Sequence, residues 1–169
     1  MIQVYKSLLI AAVFVVFIGF HDFVIADSSP KYSLKLIKLP HKEVVLKIPV
    51  DGEDRFYIDY IHSKDKTPVH DVFLISKKGK LILLEEQYEW YGAGLEFHPK
   101  GVGQIITENE RTRVLLNKEL DQFLLRVGRI ANHILSIKSI CIPLISIANG
   151  GDVLEFVVEI RTEESDDYE

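Results

Sequence analysis

The sequence predicts an all-β fold: an antiparallel β-sandwich or small barrel of about nine short strands, preceded by an N-terminal signal or anchor segment. Three observations carry that expectation. Residues 55–95 read as three strands joined by short polar connections at 64–69 and 77–80, with Pro68 and Gly79 as punctuation. Connections this short suit antiparallel neighbours. Turn signals recur at close intervals, at Asp51-Gly52, Asn132-His133 and Asn149 to Asp152. Helix-period segments are too few for an alternating α/β arrangement.

The 169 residues suit one domain, with a net charge of −5 at pH 7 and no run of Lys and Arg. That balance argues against nucleic acid as a partner, since nucleic-acid binders carry a basic patch. Residues 1–26 read as a targeting segment. Lys6 supplies the positive start, residues 7–20 are almost wholly apolar and uncharged, and Val24-Ile25-Ala26 offers a cleavage site. The apolar run is short for a span, which needs roughly 20 residues. A cleaved signal peptide is the first expectation and an uncleaved N-terminal membrane anchor the second. Either places the domain outside the cytoplasmic membrane, because Lys6 stays inside. No cysteine in this segment offers a lipid attachment point. Residues 27–161 form the expected single domain, and the acidic tail 162–169 is expected to be disordered.

Each element then follows. Residues 32–39 form a strand that Pro40 stops, and 43–50 form a second, closed by the Asp51-Gly52 turn. In the third, residues 55–63, Phe56, Ile58, Tyr60 and His62 share the more apolar side, with His62 at the core rim. Strands at 70–76 and 81–91 follow. Gly92 and Gly94 then mark a bulge or sharp corner. Residues 96–103 read as a loop and 104–107 as a short edge strand. Residues 108–121 fit either a short helix near 117–121 or a strand at 113–116. Residues 122–130 and 134–142 read as two strands joined through Asn132-His133. The last strand, 153–161, alternates, with Leu154, Phe156, Val158 and Ile160 inward. Cys141, the single cysteine, admits no intramolecular disulfide and is expected buried as a small hydrophobe.

Few residues point to chemistry. His62, His70 and Asp71 could ligate a metal from two neighbouring strands, with His133 joining them if its turn folds to the same end. Their spacing matches no metal signature. The bland alternative has His62 bonded to a backbone carbonyl and His70 exposed. Ser63 follows His62, but adjacent strand residues face opposite ways and cannot pair as nucleophile and base. Glu85 and Glu86 diverge for the same reason. No cofactor motif is present, and Gly92-Ala93-Gly94 lacks the lysine and helix start of a phosphate loop. Tyr60, Tyr88, Trp90, Tyr91 and Phe97 could form a docking surface for a protein partner.

Tyr60-Ile61-His62-Ser63, Thr67-Pro68-Val69 with Asp71, and Gly92-Ala93-Gly94-Leu95 together resemble the DUF1850 family, small bacterial and archaeal proteins. The resemblance continues through His133-Ile134-Leu135, Ile142-Pro143-Leu144 and the Gly150-Gly151 turn. It marks His62, Ser63, Asp71, Glu85, Gly92, Gly94 and His133 as a motif for a ligand or for structure. Asp71 stands where the family usually has glutamate, which shortens the reach of that carboxylate. Members are often encoded beside TAXI-type TRAP transporters. The resemblance therefore implies a non-catalytic extracytoplasmic accessory domain whose partner is the TRAP permease or the TAXI solute-binding protein. The alternative is a small-ligand or metal-binding module, with His62, Glu85 and His133 converging on the 92–95 corner. No catalytic constellation supports an enzyme.

Overall fold

A computed structural model describes residues 30–89, 104–108 and 111–161 of the protein. Residues 1–26, expected to be a targeting segment, the expected 92–95 corner with Trp90, Tyr91 and Phe97, and the acidic tail 162–169 lie outside the described residues. Among the described residues eleven strands make two antiparallel sheets. The small sheet has the order β2-β1-β11-β8, from β1 (Tyr32–Leu39), β2 (Glu43–Val50), β8 (Phe123–Arg126) and β11 (Val153–Ile160). The large sheet has the order β10-β9-β3-β4-β5-β7-β6. Its strands are β3 (Arg55–Ile61), β4 (Pro68–Ile75), β5 (Leu81–Tyr88), β6 (Ile105–Glu108), β7 (Arg111–Leu120), β9 (Ile134–Ile137) and β10 (Ile140–Pro143). A single 3₁₀ turn, Leu144–Ser146, is the only helical element among the described residues.

The inner faces of the sheets meet in an aromatic and aliphatic core. Phe56 of β3 stacks on Phe73 of β4 with ring centroids 4.7 Å apart. Phe156 of β11 lies 6.2 Å from Phe56, and Phe123 of β8 lies 4.8 Å from Phe73. Leu34, Leu36, Ile58, Leu135 and Leu154 are fully buried around them. Alternation delivers these residues: β3 places Phe56, Ile58 and Tyr60 inward, and its register with β4 aligns them with Phe73, Asp71 and Val69.

A second, smaller apolar cluster occupies one end of the large sheet. Val69, Tyr88 and Val114 form it, with Tyr60 and Leu116 packed against them. Between the clusters, the ladder loses its even register. The step from Val72 to Phe73 on β4 matches Glu85 to Leu83 on β5, and that matches Leu115 to Lys118 on β7. Each successive strand thus carries one residue more, the signature of β-bulges that bend a sheet. Asn117 takes a φ of 47° in the widest of these steps.

Four details differ from the expected elements. The described part of 108–121 holds no helix: β7 is a continuous strand, because its backbone pairs with β5 along nearly its whole length. Residues 134–142 are not one strand but the β9–β10 hairpin, turned by Lys138 at φ 52°. That turn places Cys141 opposite Ser136 on the outer face, so the thiol is exposed rather than buried. Ile160 is 70% exposed, because β8 flanks β11 only from Val153 to Phe156 and leaves the far end of the strand without that neighbour.

Candidate functional site

The polar residues of interest gather where β3 and β5 end and β4 and β7 begin. Register sorts them onto two faces. On the inner face, Asp71 stands between Ile58 of β3 and Glu86 of β5. Val69 and Tyr88 form the next inward pair along the same strands, with Tyr60 beside Val69. On the outer face, Asp59 sits opposite His70, and His70 opposite Gln87.

The outer face is a set of closed pairs. His70 Nδ1 lies 2.6 Å from Asp59 Oδ1, and its ring stacks on Tyr57 at 5.2 Å. Glu85 accepts two hydrogen bonds from Arg113, from Nε at 2.5 Å and Nη2 at 2.8 Å. Fork-to-carboxylate geometry of this kind is strong and directional. Arg113 holds the Glu85 carboxyl below its usual range, first through these hydrogen bonds, against the opposing effect of burial.

The inner face is different. Asp71 is only 6% exposed, and its Oδ1 has no hydrogen-bond partner. Burial pushes its pKa up to about 8, and the neighbouring Glu86 and Asp59 charges push the same way. Among the described residues no cation offsets it. Tyr88 donates its phenol to Glu86 Oε2. Both tyrosines hold their protons more tightly than usual: burial is the first cause, and the charges of Asp71 and Glu86 add to it. A cavity of about 510 Å³ opens at this end of the sheet, lined among others by Asp59, Tyr60, His70, Tyr88, Glu89 and Arg111.

The motif residues do not converge on one point. His62 lies in the β3–β4 turn with Nδ1 2.7 Å from Asp65 Oδ2, but that nitrogen is buried without a hydrogen-bond partner among the described residues, so the expected bond to a backbone carbonyl is not made. Ser63 is exposed in the same turn, where its carbonyl accepts from Lys66 Nζ. His133, in the β8–β9 connection, accepts the Gly128 N–H at Nδ1 (3.2 Å), and its ring sits 5.1 Å from Tyr60. Burial lowers its pKa, so the ring is a neutral acceptor here. His70 and Asp71, adjacent in sequence, point to opposite faces, as do Glu85 and Glu86. Among the described residues no group of three His, Cys, Asp or Glu side chains is placed to hold a metal ion. Gly92 and Gly94 lie outside the described residues.

Sequence reasoning missed Glu86 and Tyr88 as members of the inner group, and Asp59 and Arg113 as the anchors of the outer pairs. The signal was present in part, since the adjacent Glu85 and Glu86 must diverge across the sheet. Which one turns inward depends on the bulge at Leu84, and alternation alone does not reveal that.

No curated protein matches the chain, and no solved structure does. A family model described as a domain of unknown function, DUF1850, matches residues 56–144. The matched stretch contains the large sheet, short only of Arg55, together with β8, whereas β1, β2 and β11 lie outside it. The match extends over just over half of the sequence, and the chain belongs to the DUF1850 family.

Proposed function

We propose that this chain is a non-catalytic extracytoplasmic interaction domain that assists a TAXI-type TRAP transporter, exported behind its apolar N-terminal segment. The observation that carries the reading is the fate of the polar motif residues. His70, Glu85 and His133 are each hydrogen-bonded to a different local partner, Asp59, Arg113 and the Gly128 amide, and His62 lies apart from them against Asp65. Groups used in this way brace a surface; general acid–base or nucleophilic work needs them within reach of one another and of a substrate. The transporter partner comes from the gene neighbourhood that family resemblance implies. The apolar, uncharged run at 7–20 supports export.

Gentle crosslinking in membranes of the native host, followed by copurification on the tagged full chain, tests the reading. The TRAP permease or the TAXI solute-binding protein is the expected companion. Recovery of neither, in cells expressing both, sinks it.

A further inference from the structure

The inner face of the large sheet contains one group whose chemistry no described residue completes. Asp71 is a carboxyl shut away from water, with Oδ1 unpartnered. Its nearest titratable neighbours supply more negative potential rather than less: Glu86 across the β4–β5 ladder and Asp59 on β3. A buried carboxylate without a counter-charge is costly, and a chain keeps one only where something else supplies the charge or the group stays protonated. Around it stand the rings of Tyr60 and Tyr88, whose faces attract cations. The Tyr88 hydroxyl is already committed as a donor to Glu86. That bond holds the Glu86 carboxyl in place. Of these residues Tyr60 and Tyr88 line the cavity that opens at this end, whereas Asp71 and Glu86 are not part of its lining.

We propose that Asp71, Glu86, Tyr60 and Tyr88 form a receptor for an organic cation, an ammonium or guanidinium group carried by a small molecule or by a partner's basic side chain. The donor set disfavours an inorganic ion. Two carboxylates on neighbouring strands provide few of the oxygens a calcium ion needs. Aromatic faces, in contrast, favour large, weakly hydrated cations, and guanidinium stacks on them well. Arg111 lines the same cavity but is not among the groups acting on Asp71.

Entry of a cation has a proton balance. The Asp71 carboxyl, protonated at neutral pH in the empty site, gives its proton to solvent as the cation arrives, and the carboxylate remains paired with it. The facing groups are Tyr60 on β3, Glu86 and Tyr88 on β5, and His133 against Tyr60 from the β8–β9 connection. Asp59 acts from the outer face. Asp71, whose pKa burial pushes up to about 8, is the group placed to release one.

Calorimetric titration of the detergent-solubilised full chain with L-argininamide, at pH 6.5 in two buffers of different ionisation heat, tests the site. L-Citrullinamide serves as the isosteric control for the uncharged side chain. Saturable argininamide binding, release of about one proton, and affinity at least about tenfold above citrullinamide are expected. Asp71→Asn and Glu86→Gln should each weaken binding about tenfold, while Asp59→Asn changes it less than about twofold. Thermal melts of the variants separate lost binding from lost folding. Binding of free argininamide assigns a small-molecule site. Binding only of an arginine within an extended peptide assigns a partner's side chain. Absence of both, equal binding of the citrulline control, or tighter binding of calcium overturns the proposal. The transporter reading is not involved in any arm, so failure of one leaves the other standing.

Discussion

Asp71 and Glu85 are near neighbours on adjacent strands with opposite electrostatic fates. Glu85 turns outward onto the Arg113 fork, which favours its charged form. Asp71 turns inward to a place with no donor, where burial favours its neutral form. Their contributions to stability therefore run in opposite pH directions. Asp71 binds its proton more tightly in the folded state than in the unfolded chain. Between the ordinary aspartate value near 4 and the folded value of about 8, the unfolded chain is the less protonated, so stability falls as pH rises. Each pH unit across that window is worth up to about 1.4 kcal/mol. Glu85 has a lowered folded pKa, so its stabilisation is present above the usual glutamate range and is lost as pH falls through it. Thermal melts across pH 4 to 8 should show a decline that Asp71→Asn flattens, with the variant melting above the parent at pH 8. An unchanged slope in the variant would show that Asp71 is ionised and satisfied by a partner.

At the scale of the element, the β4–β5 hairpin illustrates what the sequence made legible. Gly79 was readable as turn punctuation from its place between two apolar strands. In the structure it takes a φ of 73°, and a Cβ there would meet the Tyr32 ring at 2.6 Å. Tyr32 in turn donates its hydroxyl to the Lys77 carbonyl, tying β1 of the small sheet to this hairpin of the large one. Gly79→Ala should cost about 1–3 kcal/mol through strain at a left-handed backbone position, with the displaced ring adding to it. Urea denaturation reads the loss, and a variant of parental stability would refute the strain argument. The β9–β10 hairpin was not legible, since Lys138-Ser139 carries none of the glycine or asparagine that marks a two-residue turn. The same lack hid the exposure of Cys141. In β7 the leucines at 115, 116 and 120 mimic helical spacing. The pairing with β5 decides for a strand, and pairing between distant segments leaves no local trace.

For the molecule as a whole, the sandwich itself followed from alternation and turn spacing, and the inward rows of β3 and β11 carried through to Phe56, Ile58, Leu154 and Phe156. The division into a four-stranded and a seven-stranded sheet was not visible, nor was the scatter of the motif histidines, because both depend on which strands become neighbours. The stacked phenylalanines join the two sheets, with Phe156 the contribution of β11. Phe156→Ala should therefore destabilise the whole fold by about 3–5 kcal/mol, read as a lower urea midpoint. A loss confined to the small sheet, with the large sheet's signals unmoved, would show that the sheets are not one cooperative unit.

The cross-strand pair Asp71–Glu86 lies in the large sheet between its two apolar clusters, and this has a kinetic consequence. The end cluster contains three buried side chains, against the many of the main core. Tyr60 packs against both clusters and is the side chain that they share across this pair, a thin connection that lets the end come apart while the rest remains closed. Deuterium should thus enter at the amides of Val69, Tyr88 and Val114 well before those of Phe56 and Phe73. If the aspartate and its neighbours do receive a cation, its arrival should slow that early exchange and leave the later exchange untouched.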